Sequence, residues 1–167
     1  MTQKPASPSS PARRRFIVGA TLLLILFLAL VIADTFRRYP QPWFYIFLID
    51  LHFQLSRLGL VVAGAMVAAG AYIGIVRKGD VTPLFRSATY FIFGMMLLQA
   101  LIGVVMYSQG GRPLQDVHLI YGMACVLVLP FFIFVETTAR KRPAMGSYIW
   151  GFALLLGILL RSVMTGS

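Results

Sequence analysis

Two histidines, His52 and His118, and one arginine, Arg57, lie within apolar stretches long enough to cross a membrane. A polar side chain left unpaired in hydrocarbon is costly, about 2.5–3.5 kcal/mol for a central arginine on insertion scales. Each of these residues therefore needs a partner. Small residues share the helical face of each histidine: Ser56, Gly59 and Ala63 at i+4, i+7 and i+11 from His52, and Gly122 and Cys125 at i+4 and i+7 from His118. Such residues beneath an imidazole leave room for a flat macrocycle or for a close helix neighbour. Two neutral imidazoles on facing helices make a low-spin axial pair for a haem iron, suited to moving one electron at a time. A haem that binds O₂ or does catalysis would leave one iron position open.

The pattern thus predicts a haem b site with His52 and His118 as metal ligands and with Ser56, Gly59 and Gly122 around the cofactor. Arg57 leans toward the N-terminus of its helix, so it is expected to reach a haem propionate. Other readings of the same residues stay open. Either histidine could be an ordinary hydrogen-bonded residue near the membrane interface, and Arg57 could pair with Asp50 at i−7 or with Asp116. Gln99, counted 13 residues above Arg86, is expected to hydrogen-bond between helices well below the histidines. Met95, Met96 and Met106 read as packing, Gly70 and Gly74 as a GxxxG contact, and Pro130 as a kink. Zinc or iron hydrolysis would need a third ligand such as a carboxylate at similar depth, and neither histidine belongs to an HExxH-like motif. Proton transport would need an ionisable chain through a middle and inner half that are almost purely apolar.

The elements that must carry these residues follow from composition. With 167 residues, 59% of them apolar, and a mean hydropathy of +0.82, the chain is too apolar for a soluble domain and too short for more than one bundle. The net charge of +10 comes from Lys and Arg at the ends of apolar segments, where they set topology, so no nucleic-acid partner is expected. Cys125 is the single cysteine, which excludes a disulfide framework and CxxC chemistry. The expected fold is all-α, a polytopic membrane protein of five transmembrane helices at about 16–33, 47–76, 88–107, 117–135 and 147–163, the first four forming an antiparallel bundle. A Pro- and Ser-rich cytoplasmic tail at 1–12 is expected to be disordered. The apolar run after Arg15 is too long for a cleavable signal and reads as a retained first helix. Trp43, Phe44 and Tyr45 suit the headgroup level, with the chain turning inward near residues 47–50.

Ten Lys and Arg lie on the side of the N-terminal tail and the 77–86 and 140–142 segments, against four (Arg37, Arg38, Arg112 and Arg161) on the other. The positive-inside rule then places the N-terminus in the cytoplasm and the C-terminus outside, in the inner or plasma membrane, which five crossings allow. His52 lies 25 residues before Arg77 and His118 lies 22 before Arg140. Their depths thus differ by only about 5 Å, near the extracytoplasmic face.

Three segments, LHFQLSRL with His52, LLQALIGVVMYSQGGRP with Gln99 and Gly103, and DVHLIYGMACVLVLP with His118 and Gly122, resemble in order one four-helix half of the haem A synthase family. The resemblance covers about residues 16–135 and makes the fifth helix an addition. The chain is also similar to a group of small bacterial membrane proteins with an HxxYG pattern and an LRxxxTG tail, here Leu160, Arg161, Thr165 and Gly166. The resemblance implies haem binding by the two histidines. It does not imply oxidation of a haem methyl group, because Ile49 and Phe53 stand where the family has an acidic residue and an arginine, and one half offers no second site for a substrate haem. The expected activity is electron transfer in or beside a respiratory-type membrane complex, with the lipid bilayer and other redox subunits as partners. Two alternatives are a haem-free structural or assembly subunit, and a synthase-like enzyme that rebuilds two halves as a homodimer.

Overall fold

The computed structural model describes residues 11–38, 43–138 and 144–166. Among the described residues the chain is helical, without a strand. The helices are α1 (Pro11–Arg38), α2 (Trp43–Ala71), α3 (Pro83–Ser108), α4 (Val117–Thr138) and α5 (Met145–Gly166), and α2 runs on through a π-helical turn, Tyr72–Val76. Helices suit lipid because they satisfy every backbone hydrogen bond within the segment. Phe44–Val76, Pro83–Ser108, Val117–Thr138 and Met145–Gly166 are each long and apolar enough to cross a membrane, while α1 carries a shorter apolar stretch, Val18–Asp34. The protein is a multi-pass membrane protein. Of the expected disordered tail, residues 1–10 lie outside the described residues, and Pro11 and Ala12 already belong to α1.

The four helices α2 to α5 form a ring in which each packs against the next and α5 closes back onto α2, so that α2 and α4 face each other across a diagonal; α1 lies outside, against α2 and α3. The core unit is therefore not helices one to four with a fifth added. The reason is visible in the side chains. Tyr148, Phe152, Leu155 and Leu159 put one buried stripe of α5 into the core, whereas Leu22, Leu23, Leu26 and Leu30 of α1 are exposed. Glycines let α5 come close on both sides. A Cβ on Gly151 would lie 3.0 Å from Phe132 of α4, and Cβ atoms on Gly70 and Gly74 would lie 3.0 Å from Ile149 and 2.9 Å from Met145. The GxxxG pair thus does pack a helix closely.

Helix starts also differ from expectation. α2 is unbroken from Trp43, with no turn at residues 47–50. α3 begins at Pro83 rather than near 88, because Thr82 caps it by accepting from the Phe85 backbone N–H and Pro83 fills the first turn, where its missing N–H costs nothing. At this end Phe85 of α3 meets Tyr148 and Phe152 of α5 edge-to-face, at 5.8 and 6.0 Å between ring centres. Arg86 pairs with Glu136 at 2.7 Å and Tyr148 donates to the same carboxylate at 3.2 Å, which ties α3, α4 and α5 together. Asp80 accepts from the Ala144 backbone N–H at 2.8 Å and fastens the 77–82 connection to the start of α5.

Candidate functional site

At the other end of the ring the diagonal between α2 and α4 is spanned by the two histidines. His52 lies in the third turn of α2 and His118 in the first turn of α4, with ring centres 6.1 Å apart and ring planes at 63°. Each imidazole rests on a glycine of a neighbouring helix. A Cβ on Gly103 of α3 would stand 3.3 Å from His52 Cε1, and one on Gly166 of α5 would stand 2.5 Å from His118 Cε1. The absence of a side chain at these two positions is what lets the rings occupy their places.

Hydrogen bonding sets the chemical state of one ring. His118 Nδ1 lies 2.9 Å from the Ser162 carbonyl oxygen. A carbonyl only accepts, so Nδ1 carries a proton, and Nε2 is the nitrogen left to offer a lone pair. That arrangement is the one a metal-binding histidine commonly has, its second nitrogen donating to a backbone carbonyl. His52 is held through its backbone instead. Its carbonyl accepts from Ser56 Oγ at 2.9 Å and from Gln99 Nε2 at 2.8 Å, and Gln99 Nε2 also donates to Ser56 Oγ at 2.7 Å. His52 Nδ1 and Gln99 Oε1 are buried without a hydrogen-bond partner. Buried polar atoms in that state are uncommon and mark sites completed by water or a ligand.

Between the helices is a cavity of about 40 Å³, walled by His52 and Ser56 of α2, Gln99 of α3, and His118, Gly122 and Cys125 of α4. A Cβ on Gly122 would meet nothing within 4 Å. Of the residues singled out from sequence, His52, His118, Ser56 and Gly122 are brought together here. Gly59 is not: it is buried a turn lower, under Met96 and Leu159. Arg57 is exposed and stacks on Phe53, its guanidinium 4.1 Å from the ring centre. Five residues after His52, it points about 140° away from the histidine face, and its lean along the helix does not carry it back to the site. Gln99 does hydrogen-bond between helices, but directly under His52 rather than well below it. Counting up from Arg86 fails because the Arg77 and Arg86 ends of α2 and α3 are not level. Ser162 was not anticipated, since a backbone acceptor leaves no mark in sequence; Gly166 was marked only as part of the LRxxxTG tail.

The donor set can be tested against a metal cofactor. Among the described residues no three His, Cys, Asp or Glu side chains converge, so a metal between the histidines takes two ligands from the chain and must bring the others with it. Haem iron does this. With ring centres 6.1 Å apart, the two imidazoles are close enough to serve one shared ion. The donors, the His118 tautomer and the glycine seats fit haem. The cavity's 40 Å³ suits a water molecule or two, so a macrocycle needs side chains such as Met96 and Leu159 to move aside. The α3–α4 seam, the loosest of the ring, is the side on which Ala100 and Gly122 leave space. No family model, curated protein or solved structure matches the chain.

Proposed function

We propose that the protein holds one b-type haem between His52 and His118 and carries electrons in or beside a respiratory-type complex. The observation that carries this reading is the meeting of two imidazoles, 6.1 Å apart, across the diagonal of a four-helix ring. Held by His52 and His118, a haem would supply one-electron transfer chemistry. The chain's own part is to orient the ligands. Ser162 sets the tautomer of His118, Gly103 and Gly166 seat the two rings, and Gln99 and Ser56 hold the His52 backbone. The resemblance to half of a haem A synthase points the same way.

The reading also takes the five helices as antiparallel crossings of the inner or plasma membrane, N-terminus in the cytoplasm, with the haem near the extracytoplasmic face. The Lys and Arg distribution supports that orientation. The test is the visible spectrum of the purified protein before and after dithionite. Sharp reduced α and Soret bands, lost in both His52→Ala and His118→Ala while the protein still inserts, are expected. Haem retained in full by both variants refutes the ligand assignment. A second reading, a haem-free structural or assembly subunit, is favoured by the small cavity, and it predicts a colourless protein that takes up no added hemin.

A further inference from the structure

The end of α5 bears on one histidine and not the other. The Ser162 carbonyl takes the Nδ1 proton of His118 at 2.9 Å, Gly166 leaves the ring its place, and the Thr165 carbonyl accepts the Gln115 backbone N–H at 3.1 Å. The Gln115 carbonyl in turn accepts the His118 backbone N–H at 3.0 Å. The final turn of α5 therefore grips both the ring and the backbone of His118. Thr165 is 3% exposed and its hydroxyl donates to the Arg161 carbonyl at 2.9 Å, so the turn is tied down at the end of the helix, where helices usually fray. His52 Nδ1 has no such acceptor.

We infer that the last turn of α5, Ser162 to Gly166, is a positioning device that makes His118 the firmly held, electron-rich ligand of the pair, while His52 is the weaker one. The inference rests on the haem reading. A histidine that donates through Nδ1 to a carbonyl is a more basic ligand at Nε2, and loss of such an outer partner typically weakens metal binding about 10–100-fold. A more basic ligand favours the ferric state, so losing the bond raises the midpoint potential. Gly166→Val puts side-chain atoms where the ring lies. Either the ring moves or the turn unwinds, and both break the Nδ1 contact. Gly157→Ala, on the same helix, is the control, because a Cβ there meets nothing within 4 Å.

The test uses the full chain in detergent, titrated with hemin and then potentiometrically, with melting of the hemin-free protein followed in parallel. We expect Gly166→Val to bind hemin at least about tenfold more weakly and to show a raised potential, with the hemin-free protein melting lower only by the lost Nδ1 contact and Gly157→Ala unchanged throughout. If Gly166→Val does not accumulate, Gly166→Ala reports the same shift in smaller measure. Wild-type affinity and potential in the Gly166 variants overturn the inference and leave the haem reading standing. A wild-type chain that takes up no hemin overturns both.

Discussion

Gln99→Leu separates the role of the α2–α3 network from that of the ligands. Gln99 makes two interhelical hydrogen bonds, to the His52 carbonyl at 2.8 Å and to Ser56 Oγ at 2.7 Å, and keeps a buried, unpartnered Oε1. Interhelical hydrogen bonds in membranes average about 0.6 kcal/mol and reach about 1.7, so the two together contribute roughly 1–2 kcal/mol. Removing Oε1 returns part of this, because an unsatisfied buried acceptor costs about 1 kcal/mol or more. Leucine has a similar volume, so no cavity term is added. The net loss of stability is thus at most about 1 kcal/mol. If that loss falls wholly on the holo state, hemin affinity drops by up to about fivefold. Ser56→Ala removes the relay but leaves the direct bond from Gln99 to His52, so its effect is smaller, and the double variant is less damaged than the sum of the two. The assay is a double-mutant cycle read by unfolding in mild detergent and by hemin titration. Strict additivity would refute the shared network, and an unchanged hemin affinity beside lower stability would confine Gln99 to holding the helices together.

Three further outcomes are expected. Arg57→Ala leaves the visible spectrum untouched and costs under about 1 kcal/mol, the worth of an exposed cation–π contact, and loss of haem in this variant would mean that Arg57 reaches the cofactor. Glu136→Ala leaves Arg86 and the Tyr148 hydroxyl without their shared acceptor; since Arg86 is 41% exposed and partly screened, the cost is about 1–2 kcal/mol, and a cycle with Arg86→Ala that shows no coupling would count against the pair. Gly151→Leu forces α4 and α5 apart at Phe132 and destabilises by about 1–3 kcal/mol, checked by thermal unfolding, whereas Gly157→Leu is close to neutral.

The membrane class and the rough helix positions were legible because long apolar runs flanked by Lys and Arg leave few other folds open to a chain in lipid. The nearness of the two histidines was legible as well, since depth along a helix can be counted at a fixed rise. What failed were statements about rotation and about neighbours. Arg57 shares the depth range of the site but not its face, and Gln99 was misplaced because helix ends were assumed to be level. The Thr82–Pro83 start of α3 was written in the sequence as a cap followed by proline, yet lay hidden in a basic segment read as loop. The place of α5 turned on Gly151, Gly70 and Gly74, small residues whose effect depends on which helix approaches them. Ser162 acts through its carbonyl, which every residue has.

Replacing both histidines gives the sharpest test between cofactor and scaffold. At the Arg86 end, Phe85, Tyr148 and Phe152 fill the core between α3 and α5. At the other end the α2–α4 diagonal holds two imidazoles, one with a buried Nδ1 that finds no partner, around a 40 Å³ cavity. For a chain whose work is only to pack, that choice is poor: an unsatisfied buried polar atom costs about 1–3 kcal/mol, and a well-shaped apolar pair would bring no such cost. The double variant His52→Leu, His118→Leu removes the orphaned Nδ1 and fills part of the cavity, while giving up the bond to the Ser162 carbonyl. The balance favours the variant by about 1 kcal/mol, so the hemin-free double variant should melt at or above the hemin-free wild type. It should take up no hemin at all. A double variant that melts well below the wild type would show that the histidines hold the helices together by themselves, and would remove the energetic reason for giving them a cofactor.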